Sequence, residues 1–143
     1  GHIDLVKRAL KIFDTVIIAV ARNADKAPLF GVEERIAMLR QATRGMKGVV
    51  IESFDGLAVD YVRSKGSVVM VRGLRMISDF EYEFQMALTN RKIGQDIETI
   101  FMMPSESYSY LSSKLIKEAF ALGADVKDFV PPFVARALAK KLR

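Results

Sequence analysis

Two arginines lie close together where a short apolar run ends, in the sequence Arg72-Gly73-Leu74-Arg75. Residues 68–71 before them have the length and composition of a buried strand, and the capping-box pattern of Ser78 and Glu81 after them predicts a helix start. In an open parallel sheet, ligands bind at such strand-to-helix turns, and an arginine fork suits a phosphate group that backbone amides beside a glycine could also approach. The residues alone leave two interpretations open, a phosphate site and a solvated basic loop.

Three other positions could contribute to the same site. His2, the only histidine, begins the first predicted helix and could donate to a phosphoryl oxygen, although Gly-His is also a common tag remnant. Lys26 lies in a loop after a predicted strand, where a lysine is usually just solvated. The segment 108–114 offers hydroxyls and helix-start amides, and its tyrosines could pack on a nucleobase, but it also fits an ordinary serine-capped helix. Together these residue types favour positioning and charge stabilisation of a phosphoryl group.

The elements that would position these residues alternate along the chain. Strands are predicted near residues 15–21, 49–51, 68–71 and 99–103, each followed by a helical segment. This alternation with short links implies one parallel sheet covered on both faces by helices, in a single α/β domain over residues 1–143. In the helix after Arg75, an apolar stripe of Phe80, Phe84 and Leu88 predicts a buried face.

Composition narrows the function classes. The chain has no cysteine, which excludes disulfides and thiolate metal sites and fits a reducing compartment. No apolar run approaches the roughly 20 residues of a membrane span. The net charge of +5 favours anionic partners, but no block of basic residues indicates a dedicated nucleic-acid surface. Neither a P-loop nor a dinucleotide fingerprint is present, and no covalent nucleophile is evident.

The first predicted helix has no strand before it. In a doubly wound sheet the first strand is usually central, and its loop usually carries phosphate chemistry. We therefore expect a gap in the sheet, a partner's strand or loose density where that strand would run. Since burial of even five side chains contributes on the order of 10 kcal/mol, we also expect a chain that starts at Gly1 to be unstable and inactive.

The chain resembles the bacterial phosphopantetheine adenylyltransferase family over essentially its whole length. The segments that carry the resemblance are, in chain order, GHIDLVKRAL, KAPLF, VEER, ESFDGLAVDY, VRGLRMISDFEYEFQMALTNR, ETIFMMPS, YSYLSSKLIKE and VPPFVARAL. The run from RGL to DFEYE is highly specific. The resemblance implies a Rossmann-like nucleotidyltransferase fold with a doubly wound parallel sheet.

The resemblance also implies a reaction and its partners. ATP and 4'-phosphopantetheine would give dephospho-coenzyme A and pyrophosphate in a step of coenzyme A biosynthesis, assisted by Mg²⁺ and without a covalent intermediate. It implies a cytoplasmic homohexamer, a dimer of trimers, with coenzyme A as a possible feedback ligand and with neither nucleic acid nor membrane as a partner.

Site residues follow from the family motif position by position. His2 matches a histidine that stabilises charge on the α-phosphate, and Lys26 matches a loop lysine that contacts the transferring phosphates and substrate. Arg72 matches the residue that holds the pantetheine phosphate, and Ala58 a contact of the pantetheine arm. The positions that match ATP contacts, besides His2, are Gly73, Leu74, Arg75, Glu83, Tyr108, Ser109, Tyr110, Leu111, Ser112, Ser113 and Lys114.

The chain departs from the family pattern in places. Of the motif P-G-[TS]-F-D-P-x-[TH]-x-G-H only Gly1-His2 is present, so the substrate-binding Thr or Ser of that turn has no counterpart here. Tyr108 and Leu111 replace tryptophan and isoleucine, and Lys114 replaces a serine or threonine. The rival interpretations are a cytidylyltransferase or nicotinate-mononucleotide adenylyltransferase on the same fold, a non-enzymatic nucleic-acid-binding domain and an inactive fragment.

Overall fold

Strands and helices alternate as the sequence predicts. The structure, a computed structural model, describes residues 1–22 and 28–142. Within those ranges the elements are α1 (His2–Ala9), β1 (Val16–Ala21), α2 (Val32–Ala42), β2 (Val49–Phe54), α3 (Ala58–Ser64), β3 (Val69–Gly73), α4 (Ile77–Ile93), β4 (Glu98–Met102), α5 (Glu106–Ser109), α6 (Ser113–Ala121) and α7 (Pro132–Leu142). The α/β class and the four strands are confirmed, whereas the short helix α5 was not predicted.

The strands form two parallel ladders. β1 pairs with β2, from Val16 opposite Val49 to Ala21 opposite Phe54. β3 pairs with β4, and the register ends with Gly73 opposite Met102. The parallel direction is confirmed. Among the described residues no ladder joins the two pairs, so they do not form one continuous hydrogen-bonded sheet, and the break between them agrees with the expected gap. Alternation of strands and helices makes paired strands parallel, because each connection crosses over through a helix. It does not require that successive strand pairs be hydrogen-bonded to each other.

Helix α4 differs from its prediction in two ways. It begins at Ile77 with Met76 as the N-cap and has no side-chain capping bond, so the predicted capping box of Ser78 and Glu81 is wrong. The stripe of Phe80, Phe84 and Leu88 is 46–47% exposed rather than buried. None of the 17 residues of α4 is buried, so sequence periodicity identified an apolar stripe that the described chain does not cover.

Two other helices begin at defined caps, and the serine cap of the second was predicted. The amide of Gly31 donates to Glu34 Oε2 at 2.8 Å, which gives α2 a cap from its own first turn. The amide of Leu115 donates to Ser112 Oγ at 3.1 Å, so Ser112 is the N-cap of α6. Helix α6 packs on α7 through a buried apolar cluster of Ile116, Phe120, Val126 and Leu138. These caps and this cluster fix the helices that follow the ligand-binding ends of the strands.

The turn before β2 gives a test of local packing. Gly45 and Gly48 both have positive φ, at 81° and 78°. A Cβ on Gly48 would lie 2.3 Å from the carbonyl oxygen of Asp14, whereas a Cβ on Gly45 would meet nothing within 4 Å. Alanine at Gly45 should therefore cost only the left-handed backbone conformation, about 1 kcal/mol.

We expect Gly48→Ala to lower the free energy of unfolding by about 2 kcal/mol more than Gly45→Ala, because the new methyl group overlaps rigid backbone. Urea unfolding of both variants, followed by circular dichroism, measures the difference. Equal losses would contradict the close approach of the two backbone segments.

Candidate functional site

The site is built around the turn that follows β3, where Arg72 forms a bidentate pair with Glu83 of α4. Arg72 Nε donates to Glu83 Oε2 at 3.0 Å, and Nη2 donates to Oε1 at 2.7 Å. Hydrogen bonding to this carboxylate raises the pKa of Arg72. The Glu83 side chain is 13% exposed and the Arg72 side chain 40%. The pair therefore holds one edge of a permanently charged guanidinium and leaves Nη1, the nitrogen outside the pair, on its other edge.

Gly73 and Leu74 have structural functions that the sequence did not indicate. A Cβ on Gly73 would lie 2.4 Å from Leu5 Cδ1 of α1, so the missing side chain lets α1 pack onto the turn. The amide of Leu74 donates to the carbonyl of Met102 at 3.0 Å and extends the β3–β4 ladder. We predicted backbone amides beside the glycine as phosphate ligands, but the Leu74 amide already has a partner.

Arg75 joins the turn to the segment 108–114. Its Nε donates to Asp79 Oδ2 at 3.2 Å, and its Nη1 donates to the carbonyl of Leu111 at 2.7 Å. These bonds bring two of the predicted ATP-contacting regions together, although they are 36 residues apart in sequence. Arg75 can therefore keep the segment beside the arginine turn before any ligand binds.

His2 lies beside the same arginines, at the first residue of α1. His2 is exposed, yet crowding by neighbouring protein atoms is the largest cause that lowers its pKa, and the charges of the Gly1 ammonium, Arg75 and Arg72 act in the same direction. At neutral pH the imidazole is therefore largely uncharged in the ligand-free protein. An anion between these groups would reverse the effect by favouring the protonated ring.

The other predicted site residues lie in the segment 108–114, where several already have partners in the protein. Tyr108 begins its segment beside α1, since a Cβ on Gly1 would lie 3.7 Å from Tyr108 Cβ. Ser112 is occupied as the α6 cap, and the side chain of Lys114 is 85% exposed, 4.0 Å from Glu118 on the same helix. Among the others, Ser109 Oγ donates to the Glu106 carbonyl, Tyr110 is 57% exposed, and Ser113 opens α6.

Two predicted residues lie elsewhere. Ala58 is the first residue of α3, beyond the carboxyl end of β2. It therefore occupies the ligand-binding edge of the β1–β2 pair, as a pantetheine contact would require. Lys26 lies outside the described residues, so its predicted contact with the transferring phosphates remains a prediction.

Sequence reasoning missed Asp4 and Ser105. The carboxylate of Asp4 accepts the amide of Ser105 at 2.7 Å and its hydroxyl at 2.7 Å, and it also accepts Arg8 Nε at 3.1 Å. The two residues are 101 positions apart. Both positions lie in segments that carry the family resemblance, but neither residue type indicates a partner, so only the folded chain reveals this contact.

The described residues do not form a resident metal site. Within residues 1–22 and 28–142, no three histidine or acidic side chains approach closely enough to hold a metal ion. Glu83 and Asp79, the carboxylates beside the arginines, are already bound by Arg72 and Arg75. This donor set fits an anion and does not fit a metal ion held by the protein alone.

Comparisons with known proteins identify the family of the chain. The profile of the family described as Cytidylyltransferase-like matches residues 1–119. A phosphopantetheine adenylyltransferase of Thermodesulfovibrio yellowstonii is 51% identical to the chain, over 100% of the chain and 89% of the relative. Enzymes of the same name from Alkalilimnicola ehrlichii and Geotalea daltonii are each 50% identical over 99% of the chain, covering 82% and 88% of the relatives. The chain belongs to the phosphopantetheine adenylyltransferase family. The family identification made from the sequence segments is confirmed.

The cationic environment of His2 gives a test that needs no substrate. We expect the His2 imidazole to titrate below its ordinary pKa of 6.5, because crowding, the Gly1 ammonium and the two arginines oppose its protonation. Arg75→Gln should raise the midpoint, and bound pyrophosphate should raise it further. Because His2 is the only histidine, the proton-carbon NMR signal of the imidazole in tag-free protein reports it without ambiguity.

The sign of this shift also sets a dependence of stability on pH. A histidine whose pKa is lower in the folded state disfavours folding once the unfolded chain binds a proton, so the free energy of unfolding should fall as pH drops below about 6.5.

The control for the His2 titration is Arg63→Gln, which removes an exposed arginine paired with Asp96. It should leave the midpoint of the imidazole titration unchanged. A midpoint at or above 6.5 in the free wild-type protein would contradict the described surroundings of His2.

Proposed function

We propose that this chain transfers the adenylyl group of ATP to 4'-phosphopantetheine, which yields dephospho-coenzyme A and pyrophosphate. The observation that carries the proposal is the identity of about half of all residues to relatives named phosphopantetheine adenylyltransferase, over essentially the whole chain. Their name gives the acceptor and the transferred group. The cluster of His2, Arg72 and Arg75 supplies the positive charge that two phosphorylated substrates need.

In the proposed reaction, a phosphate oxygen of phosphopantetheine forms a bond to the α-phosphorus of ATP. The bond from that phosphorus to the oxygen that bridges to the β-phosphate breaks, and pyrophosphate leaves with the electron pair. Arg72 would bind the acceptor phosphate through Nη1, because Glu83 holds Nε and Nη2. His2 and Lys26 would stabilise the charge that develops on the α-phosphate.

The nucleotide would lie between the arginine turn and the segment 108–114. Its predicted contacts are Gly73, Leu74, Arg75, Glu83 and the residues from Tyr108 to Lys114. Arg75 would meet ATP with the atoms that Asp79 and Leu111 leave available. Because the amide of Leu74 donates to the Met102 carbonyl, Leu74 would contact ATP through its side chain or its own carbonyl.

The proposal also covers Mg²⁺, coenzyme A and the cellular location. Since the described carboxylates do not form a metal site, Mg²⁺ would arrive on the phosphates of ATP, as this ion commonly does. Coenzyme A would compete at the substrate site as a feedback ligand, because it shares the pantetheine arm. Within the described ranges no helix is long and apolar enough to cross a bilayer. A cytoplasmic location is proposed from the resemblance alone.

The decisive experiment is a coupled pyrophosphate assay with chromatographic identification of the product. We expect dephospho-coenzyme A from ATP and phosphopantetheine. The family description names cytidylyl transfer, so CTP is the competing nucleotide and nicotinate mononucleotide the competing acceptor. Turnover that prefers CTP or nicotinate mononucleotide would refute the proposed substrates.

Arg72 gives the sharpest test of the acceptor site. We expect Arg72→Ala to weaken phosphopantetheine binding by about 2 kcal/mol or more, because a charge-assisted bond to phosphate is lost. Isothermal titration calorimetry measures the affinity. Arg63→Ala is a matched control, because Arg63 also forms a bidentate pair, with Asp96, but is exposed and lies on α3. Unchanged affinity in a folded Arg72→Ala variant would refute the assignment.

We also propose that the chain assembles as a homohexamer, a dimer of trimers, in which α4 lies at an interface between copies. Helix α4 has no buried residue, and its apolar stripe of Phe80, Phe84 and Leu88 is about half exposed. Phe80 and Phe84 stack on each other at 5.5 Å between ring centres. A contiguous exposed apolar surface of this kind marks an interaction site.

The assembly proposal gives an expected mass. Light scattering after gel filtration should give about six times the mass of the expressed chain, and Leu88→Glu should dissociate the assembly by placing a charge in an apolar contact. Leu122→Glu is the control, because Leu122 is 89% exposed and follows α6. A monomeric wild-type protein, or a Leu88→Glu variant of unchanged mass, would refute the proposal.

A further inference from the structure

The contact between Asp4 and Ser105, which we call the α1 clasp, has an unusual geometry for a serine at a helix start. Ser105 is the N-cap residue of α5, yet its side chain makes no capping bond. Its hydroxyl instead donates to Asp4 Oδ1 at 2.7 Å and accepts from Arg8 Nη2 at 2.9 Å, while its amide donates to Asp4 Oδ2 at 2.7 Å. A serine in this position usually serves its own helix, so here it is directed to another element.

The α1 clasp is shielded and charged. The Asp4 side chain is 17% exposed and receives three different donors. The bond from the Ser105 amide is the largest cause that lowers the pKa of Asp4 from 3.8, and the serine hydroxyl and Arg8 add to it. Asp4 is therefore ionised, and the clasp intact, at neutral pH. Because its bonds are shielded from water, they are stronger than those of the exposed ion pairs elsewhere.

The clasp joins two parts of the site that no short link connects. Asp4 lies two residues after His2 on α1, and Ser105 lies three residues before Tyr108. The second anchor of α1 is Leu5, which packs over Gly73 at the arginine turn. One helix turn is thus attached on one side to β3 and on the other to the segment that follows β4.

We propose that Asp4 is a positioning residue for adenylyl transfer, which through Ser105 fixes His2 in register with the nucleotide-contacting segment 108–114. This inference rests on the proposed function. Apolar packing of α1 also includes the buried Val6 and Ala9, but the clasp is a polar attachment of α1 to the segment that follows β4. A displacement of about 1 Å at a catalytic group lowers a rate by about 100-fold, so a second attachment point has kinetic value.

The kinetic test compares variants of both partners. Asp4→Ala should lower kcat about 100-fold and leave the KM for phosphopantetheine nearly unchanged, because Arg72 is not altered. Ser105→Ala keeps the backbone bond to Asp4 and should lower kcat less. The double variant should resemble Asp4→Ala, since partners in one contact are not additive. Asp4→Asn, which keeps an acceptor for the Ser105 amide, should recover much of the activity.

A matched control separates positioning from stability. Asp96 accepts two bonds from Arg63, at 3.0 and 2.7 Å, and lies before the amino end of β4, away from the arginine turn. Asp96→Ala therefore removes a comparable set of bonds and should leave kcat unchanged. If Asp4→Ala and Ser105→Ala both keep the kcat of Asp96→Ala, or if Asp4→Asn recovers nothing, the proposal is wrong.

A second readout does not depend on activity. NMR titration of His2 in tag-free protein should show a midpoint that rises towards 6.5 in Asp4→Ala and in Ser105→Ala, because a released α1 moves the imidazole out of its crowded, cationic surroundings. Loss of the Asp4 charge alone would lower the midpoint, so the sign distinguishes release from a direct electrostatic effect. An unchanged or lowered midpoint in both variants would overturn the proposal.

The two proposals can fail separately. If the wild-type protein does not form dephospho-coenzyme A, the proposed function fails and the role of the clasp in adenylyl transfer fails with it, while the titration still shows whether the clasp places His2. If the wild-type protein is active and the variants keep both kcat and the His2 midpoint, only the clasp proposal fails.

Discussion

The arrangement of the site depends on how closely α1 approaches the carboxyl end of β3. The missing side chain of Gly73 leaves the space that Leu5 fills, and any Cβ there would overlap it at 2.4 Å. This approach places His2 within the field of Arg72 and Arg75. The glycine therefore serves helix packing first, and the chemistry that we assign to the turn follows from that packing.

The arginines are held by protein acceptors in the ligand-free structure. Glu83 accepts hydrogen bonds from two nitrogens of Arg72. Asp79 and the Leu111 carbonyl each accept one from Arg75. These bonds fix the direction of each guanidinium, which lowers the conformational entropy that substrate binding would otherwise lose. They also reduce the number of free donors, so in the proposed function each phosphate would bind at the remaining nitrogens. The same contacts therefore orient the two guanidiniums and reduce the number of donors that they can offer to a ligand.

Much of the fold was readable from local pattern. The apolar run before Arg72, the Ser112 cap and the parallel direction of the strands all follow from periodicity, capping chemistry and crossover handedness. The features that sequence reasoning missed are non-local. The exposure of Phe84 and the bond between Asp4 and Ser105 depend on which distant elements meet. Residue types identified the arginine turn, and the family resemblance supplied roles, but neither could supply the attachment of α1.

The charge balance of the site explains why it should require an anionic occupant. Crowding and the charges of the Gly1 ammonium, Arg75 and Arg72 all lower the pKa of the His2 imidazole, which means that protonation of His2 beside the arginines costs free energy. Glu83 and Asp79 compensate the arginines only, since no described bond joins either carboxylate to His2. In the proposed function a bound phosphate would supply that negative charge, and the proton that His2 would then gain would strengthen its contact with the phosphate. Substrate binding and protonation of His2 should therefore be coupled, so that the site reaches its full positive charge only when the anion it binds is present.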